Sequence, residues 1–233
     1  MQIIQTQEAV QQWSKSGGRL SGIFSREVLE AMELRRYTHG ETLCSVGDRL
    51  DGLLVLVEGK LKIHTLLPNG KSMLMRFARP VSVIGDVELM NEYPVKNQVE
   101  AVGDCLLLHA GRKLLLGEME SNPAFLRFLV GELSHKLYTL GQSSAINLLY
   151  PVENRFASYL LSLMTDNEGG KRREELSTSS MTETAEMLGT SYRHLNRVVR
   201  RFAEEGIIER RRGRLIVLDE ARLTDLASGN MYE

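Results

Sequence analysis

Seven neighbouring side chains have the chemistry to grip a nucleic acid: Tyr192, Arg193, His194, Asn196, Arg197, Arg200 and Arg201. Arginine presents a donor-only fork that fits a guanine edge or a phosphate, and asparagine and tyrosine can add base or backbone contacts. Between them, Leu195, Val198, Val199 and Phe202 recur at helical spacing. That spacing predicts a helix over 191–203 with one buried stripe and a basic outward face. The basic face alone would equally suit a solvated surface helix.

The surrounding residues supply what would hold such a helix in place. Ser180 and Glu183 have the spacing of a capping box, so a first helix can begin there. Ala185 is small enough for a crossing helix to approach closely. Gly189 can take a left-handed conformation and end that helix in a tight turn. Thr190 or Ser191 can then cap the second helix. Downstream, Gly206 ends it, and 207–210 and 214–217 read as two strands around Arg211-Arg212-Gly213. Two helices followed by a hairpin with a basic tip predict a winged helix-turn-helix. Arginines at such a tip favour the DNA reading over the solvated one. From Thr190 to Arg214 eight arginines stand against three acids, although the whole chain of 233 residues carries a formal net charge of only −1. The positive field is local, as a DNA footprint should be.

Other chemistries find little support. There is no G-x-S-x-G, no H-E-x-x-H and no phosphate-binding P-loop, so no enzyme is expected. Cys44 and Cys105 stand far apart, which fits two structural thiols in a reducing cytoplasm and supplies too few thiolates for an iron–sulfur cluster. His39, His64, His109, His135 and His194 show no ligand spacing, so no metal site is expected. No apolar run reaches the roughly 18–20 residues of a membrane span, and no secretion signal opens the chain.

The remaining chain divides by texture into three parts: 1–120, 121–150 and 151–233. Residues 1–34 read as amphipathic helix, broken at Gly17-Gly18 and resumed around 25–34. From Arg35 short apolar runs alternate with turns: 42–44, 53–57, 61–67, 72–78, 83–84, 99–102 and 105–109. Glu58-Gly59 and Pro68-Asn69-Gly70 read as turns between them. This pattern predicts an antiparallel jelly roll. Asn122-Pro123 then opens a helix of about 25 residues. Leu126, Leu129, Leu133, Leu137 and Leu140 line one side of it, with Ser144 and Asn147 continuing the line. A leucine line on a long helix can pack on its own copy, so a homodimer is expected. Residues 151–164 form another helix with Phe156, Tyr159, Leu160 and Leu163 inward, and 165–180 a polar loop with a short strand near Leu176.

A β-roll, a long dimer helix and a winged helix, in that order, resemble the Crp/Fnr family of bacterial transcription regulators. The resemblance covers about 35–218. Gly47, Gly59 and Gly85 have the family's glycine spacing, and Ile84-Gly85-Asp86 stands where the family has I/F-G-E. The run from Asn122-Pro123 to Arg155 aligns with its dimer helix without gaps. Ser191-Tyr192-Arg193-His194-Leu195 is most similar to the YeiL-like branch. The resemblance implies an α+β fold: a cyclic-nucleotide-binding-like roll, a dimerisation helix and a winged helix-turn-helix. It implies a signal sensed in the roll, with Gly85, Asp86, Glu88, Lys96 and Asn97 as candidate ligand contacts. It also implies RNA polymerase as a further partner.

Three departures qualify those expectations. Lys96-Asn97-Gln98 replaces the R-S-A string that holds the phosphate of cyclic AMP, and lysine lacks arginine's bidentate fork. Leu140-Gly141 replaces the Thr-Ser pair that faces the purine. Cyclic AMP of the usual kind is therefore not an expected cofactor. Arg193 replaces a glutamate that accepts from cytosine, so a different half-site is expected. On this reading Tyr192, Arg193 and Arg197 face bases. Thr190 and Ser191 lie at the helix start, where a phosphate can meet free backbone N–H groups, and Asn196 at the groove edge. His194, Arg200, Arg201, Arg210, Arg211 and Arg212 hold phosphates. Two copies would read a near-palindrome with their helices about 34 Å apart. The competing expectation is a nucleotide- or small-molecule-sensing module in which DNA binding is secondary.

Overall fold

The apolar runs become strands because their side chains alternate about the chain axis and share a buried interior. The computed structural model describes residues 2–4, 20–164, 176–177, 181–211 and 214–233. Its strands are β1 (Gln2–Ile4), β2 (Glu33–Tyr37), β3 (Thr42–Cys44), β4 (Gly52–Leu66), β5 (Ser72–Ala78), β6 (Ser82–Ile84) and β7 (Asn97–Gly111). Interspersed helices are α1 (Arg26–Ala31), α2 (Asp86–Asn91) and α3 (Arg112–Ser121). The chain forms two compact units, 1–62 with 78–138 and 63–77 with 139–233.

In the first unit β1 pairs with β2, β2 and β3 pair with β7, and β6 pairs with β4, all antiparallel. Phe24, Val28, Leu53, Val55, Leu108 and Phe125 share its core. Glu118, buried, accepts from the Ser25 N–H and from Asn122 Nδ2, tying α1 to the end of α3. The Asn122 side chain accepts in turn from the N–H groups of Ala124 (3.0 Å) and Phe125 (3.3 Å). It thereby caps the long helix α4 (Pro123–Leu149), with proline at the first position as anticipated.

Several expectations change here. Residues 2–4 are strand rather than helix, and α1 stops at Ala31 so that β2 starts at Glu33. The Gly17-Gly18 break lies outside the described residues. Glu58-Gly59 is not a turn but a bend inside the single strand β4, and β7 runs unbroken through Gly103. Gly59 has φ +93°, and a Cβ there would stand 2.5 Å from the Asp104 carbonyl oxygen and 2.7 Å from Cys105 Sγ. At Gly70, φ is +77° but the space is open. Gly59→Ala is therefore expected to destabilise by about 2 kcal/mol or more, through strain and overpacking together. Gly70→Ala should show only the strain, about 1 kcal/mol. Chemical denaturation of both variants checks this difference.

In the second unit the hairpin between β4 and β5 closes at Pro68-Asn69-Gly70, where Leu67 N–H reaches the Lys71 oxygen at 2.8 Å. The unit continues with the end of α4, α5 (Val152–Met164), β8 (Leu176–Ser177), α6 (Met181–Met187), α7 (Tyr192–Glu204), β9 (Ile208–Arg211), β10 (Arg214–Val217) and α8 (Glu220–Leu226). Strand order is β8-β10-β9, so the strand anticipated near Leu176 extends the wing. The rest of the 165–180 loop, with the Ser180 cap, lies outside the described residues. Phe156, Tyr159, Leu160 and Leu163 all point inward from α5. The Phe156 ring tilts against that of Phe202, 5.8 Å away.

Candidate nucleic-acid interface

Two identical chain reversals frame α7. After α6, Gly189 takes φ +61°. The N–H groups of Gly189 and Thr190 then return to the oxygens of Glu186 and Ala185, both at 2.9 Å. After α7, Gly206 takes φ +70°, and Gly206 and Ile207 return in the same way to Ala203 and Phe202. Both are Schellman motifs, in which a glycine in the left-handed region lets the orphan carbonyls of the last turn be satisfied. At its start α7 is capped by Ser191, whose Oγ accepts from the His194 N–H at 3.2 Å. The cap is Ser191, not Thr190.

Leu195, Val198, Val199 and Phe202 are buried. At 100° per residue, Arg193, Arg197 and Arg200 fall within about 60° of one another on the opposite face. All three are exposed, and none makes a hydrogen bond or ion pair among the described residues. Tyr192 is exposed on one flank, while Asn196 and His194 are half-buried on either side of the arginine face. Arg201 behaves differently. Its Nη1 reaches Glu153 and its Nε reaches Glu205, each at 2.8 Å. Glu205 also receives Arg222 at 3.0 Å. Arg201 therefore braces α7 to α5, so the phosphate contact expected of it would draw on a guanidinium already shared with two carboxylates.

The wing divides its arginines between two faces. Register pairs Arg211 with Arg214 and Arg210 with Leu215. Arg210 thus shares a face with buried Leu215, Ile208 and Val217, whereas Arg211 and Arg214 share the other. Like charges directly opposite each other oppose strand pairing. Arg211 is partly compensated by Glu209 at 2.7 Å. Arg214, part of the basic field but not among the expected DNA contacts, stands on this face immediately after the tip glycine. Arg212 lies outside the described residues.

The candidate ligand residues differ in their surroundings. Gly85 (φ +98°) serves a close approach, since a Cβ would stand 2.7 Å from the Gly52 oxygen. Asp86 is 2% exposed and is paired with Lys136 of α4 at 2.5 Å. Lys136 also donates to the Val83 oxygen at 2.9 Å, and Glu132 accepts from the Val83 N–H at 3.4 Å. Asp86 thus fastens the β6 segment to α4 and is not a free acid for a ligand. Glu88 is half-buried, and burial, reinforced by Asp86, raises its carboxyl pKa. Lys96 is exposed and Asn97 half-buried. The Cys44 thiol is pushed up to about 12 by burial, with Glu88 and Asp48 adding to the effect, so it is a structural thiol.

On α4 the leucine line splits. Leu129 is 2% exposed and belongs to the core beside Phe125, because its side of the helix faces the first unit's interior. Leu126, Leu137 and Leu140 are exposed and Leu133 is half-buried. Val130 and Leu148, at 62% and 81%, extend the exposed stripe. Asn147, expected to continue the line, is turned to hydrogen bonding instead. Val130 was missed, although it is four residues beyond Leu126.

Comparison with known proteins agrees with this arrangement. Residues 34–122 match the cyclic nucleotide-binding domain family and residues 154–226 the Crp-like helix-turn-helix domain family. The chain is 28% identical over 204 residues to the regulatory protein YeiL of Escherichia coli O157:H7, covering 88% of this chain and 90% of that protein. It is 24% identical over 192 residues to the CRP-like cAMP-activated global transcriptional regulator of Mycobacterium tuberculosis, covering 80% and 84%. The solved structure of a CRP-family transcriptional regulator from Thermus thermophilus shares the fold, with a TM-score of 0.70 at 21% identity over 85% of this chain and 98% of that one. With a cyclic nucleotide-binding domain ahead of a Crp-like helix-turn-helix domain, the chain is a transcriptional regulator of the Crp/Fnr type.

Proposed function

We propose that the chain acts as a homodimer that reads a near-palindromic DNA site, with α7 in the major groove. The observation that carries this reading is the face of Arg193, Arg197 and Arg200, exposed and without partners among the described residues, on a helix anchored by its other side. Unpaired guanidinium groups on a firmly packed helix suit a polyanion with a fixed groove. Arg193 and Arg197 read bases with Tyr192, while Arg200, His194 and the wing arginines 210–212 hold phosphates. Asn196 lies at the groove edge, and Thr190 and Ser191 lie near the backbone. Arg201 positions the helix. Residues 1–120 form the sensing part, 121–150 the dimer helix and 151–233 the reading part.

The effector is not cyclic AMP held in the usual way, because Lys96-Asn97-Gln98 offers no guanidinium fork and Asp86 is already engaged by Lys136. No helix among the described residues is long and apolar enough to cross a membrane. The site of action is the bacterial cytoplasm, with RNA polymerase as a further partner, and no catalysis is part of this role.

The test compares two substitutions in titrations against related duplexes at several salt concentrations. Arg193→Ala should lose about 1–3 kcal/mol of discrimination at one base pair per half-site. Arg211→Ala should weaken all sequences alike and lower the salt slope by about 1 per wing. Equal effects from both would contradict these roles.

A further inference from the structure

Asn147 stands at a junction of three parts of the second unit. Its Nδ2 donates to the Leu74 oxygen of β5 at 3.0 Å, and its Oδ1 accepts from the Tyr232 hydroxyl at 2.8 Å. Its own carbonyl lies in the last turn of α4, where no intrahelical donor remains, and Arg155 of α5 supplies one at 2.7 Å. Both ends of one amide and its backbone oxygen are thus engaged by separate elements.

Tyr232 closes the junction from the other side. It is fully buried, and burial raises its phenol pKa, so the hydroxyl stays a donor. Its N–H donates to Ser162 Oγ on α5 at 2.8 Å, and its oxygen accepts from the Phe77 N–H on β5 at 2.9 Å. The Phe77 ring meets Tyr159 of α5 at 5.9 Å. A residue beyond α8 therefore holds the β4–β5 hairpin against α5 and against the end of α4. The same Arg155 Nη1 stands 3.9 Å from where a Cβ at Gly189 would lie. The junction therefore lies beside the turn that starts α7.

We propose that Tyr232 and Asn147 form a pin that makes the β4–β5 hairpin part of the reading unit, and that the pin holds the Gly189 turn through Arg155. Tyr232 is buried and Asn147 half-buried, so an amide stripped of either partner loses a bond that water replaces only in part, and partial loosening is disfavoured. None of its residues belongs to the proposed DNA-facing set, so its effect on binding is indirect.

Amide hydrogen exchange on full-length protein without DNA tests the pin, using Tyr232→Phe, Asn147→Ala and the double variant. Exchange at Phe77, Gly189 and Thr190 should quicken about two- to thirty-fold in each single variant, with little further gain in the double. Faster exchange at Phe77 with wild-type exchange at 189–190 would overturn the link to the turn, and additive effects would overturn the shared junction. Should Asn147→Ala fail to fold, Tyr232→Phe alone decides through the same amides.

A second measurement rests on the DNA-reading proposal. Affinity of Tyr232→Phe for a duplex selected by the wild type should fall by a similar factor with an unchanged salt slope. A lowered slope would place Tyr232 at the DNA and overturn its role as a pin. If the wild type selects no duplex, the DNA reading fails while the exchange experiment still judges the pin.

Discussion

In the proposed homodimer, Leu137→Asp is expected to separate the two copies and to cut affinity for a palindromic duplex by about 10²–10⁴. Leu137 is 72% exposed in the single chain, in a stripe with Leu126, Val130, Leu140 and Leu148. One exposed leucine needs no explanation, but an exposed line of them over a 27-residue helix does. Two copies packed along this stripe bury each side chain twice over, once per protomer, and a fully buried leucine contributes about 1.5–3 kcal/mol. A two-fold interface makes an aspartate at 137 meet a nearby copy of itself, or at least lose its water. Both effects oppose association. Leu129→Asp should behave differently, because Leu129 is in the core, and should unfold the first unit. Sedimentation velocity separates the two outcomes. A Leu137→Asp variant that keeps the dimer mass would remove the stripe as the interface.

Lys136→Met is expected to destabilise the first unit by about 3–5 kcal/mol. The substitution leaves the Asp86 carboxylate buried at 2% exposure without its cation. Oδ2 of Asp86 makes no hydrogen bond among the described residues, and Lys136 is the carboxylate's one cationic partner among them. The Val83 oxygen loses a donor as well. Desolvating an unpaired charge costs more than the pair itself contributes, so removing both charges should be far milder. Asp86→Asn with Lys136→Met is therefore expected to recover most of the loss. Chemical denaturation of the single and double variants checks the prediction. A single variant as stable as the wild type would show that the pair does not hold β6 to α4. The pair also bears on sensing. A ligand that used Asp86 would first have to displace Lys136, and any signal must favour one arrangement of the protein over another to shift it at all.

The reading unit was the most legible part of the chain because its signals are local. Gly189 and Gly206 mark the two Schellman turns, Ser191 caps its own helix three residues on, and the buried stripe of α7 repeats at helical spacing. Asn122-Pro123 and Pro68-Asn69-Gly70 were legible for the same reason. What escaped depends on partners remote in sequence. Glu58-Gly59 looks like a turn until Asp104 and Cys105 are placed against it, and only then is Gly59 a bend within a strand. Asp86 looks like a ligand acid until Lys136, fifty residues later, is placed beside it. Leu129 and Leu126 are chemically identical, and which faces the core depends on the packing of α4 against Phe24 and its neighbours. α3 went unseen because its apolar residues bunch at 114–116 instead of repeating. Tyr232 gave no sign at all, since nothing near it in sequence bonds its hydroxyl.

Selection of binding sites from a random duplex pool by the wild-type protein tests the central claim most directly. If α7 reads bases through Arg193 and Arg197, the recovered sequences should share two inverted half-sites about one helical turn apart. Each should carry a guanine that the protein prefers by about 1–3 kcal/mol. A pool that shows no enrichment, or that converges on the family's common half-site, would contradict the account.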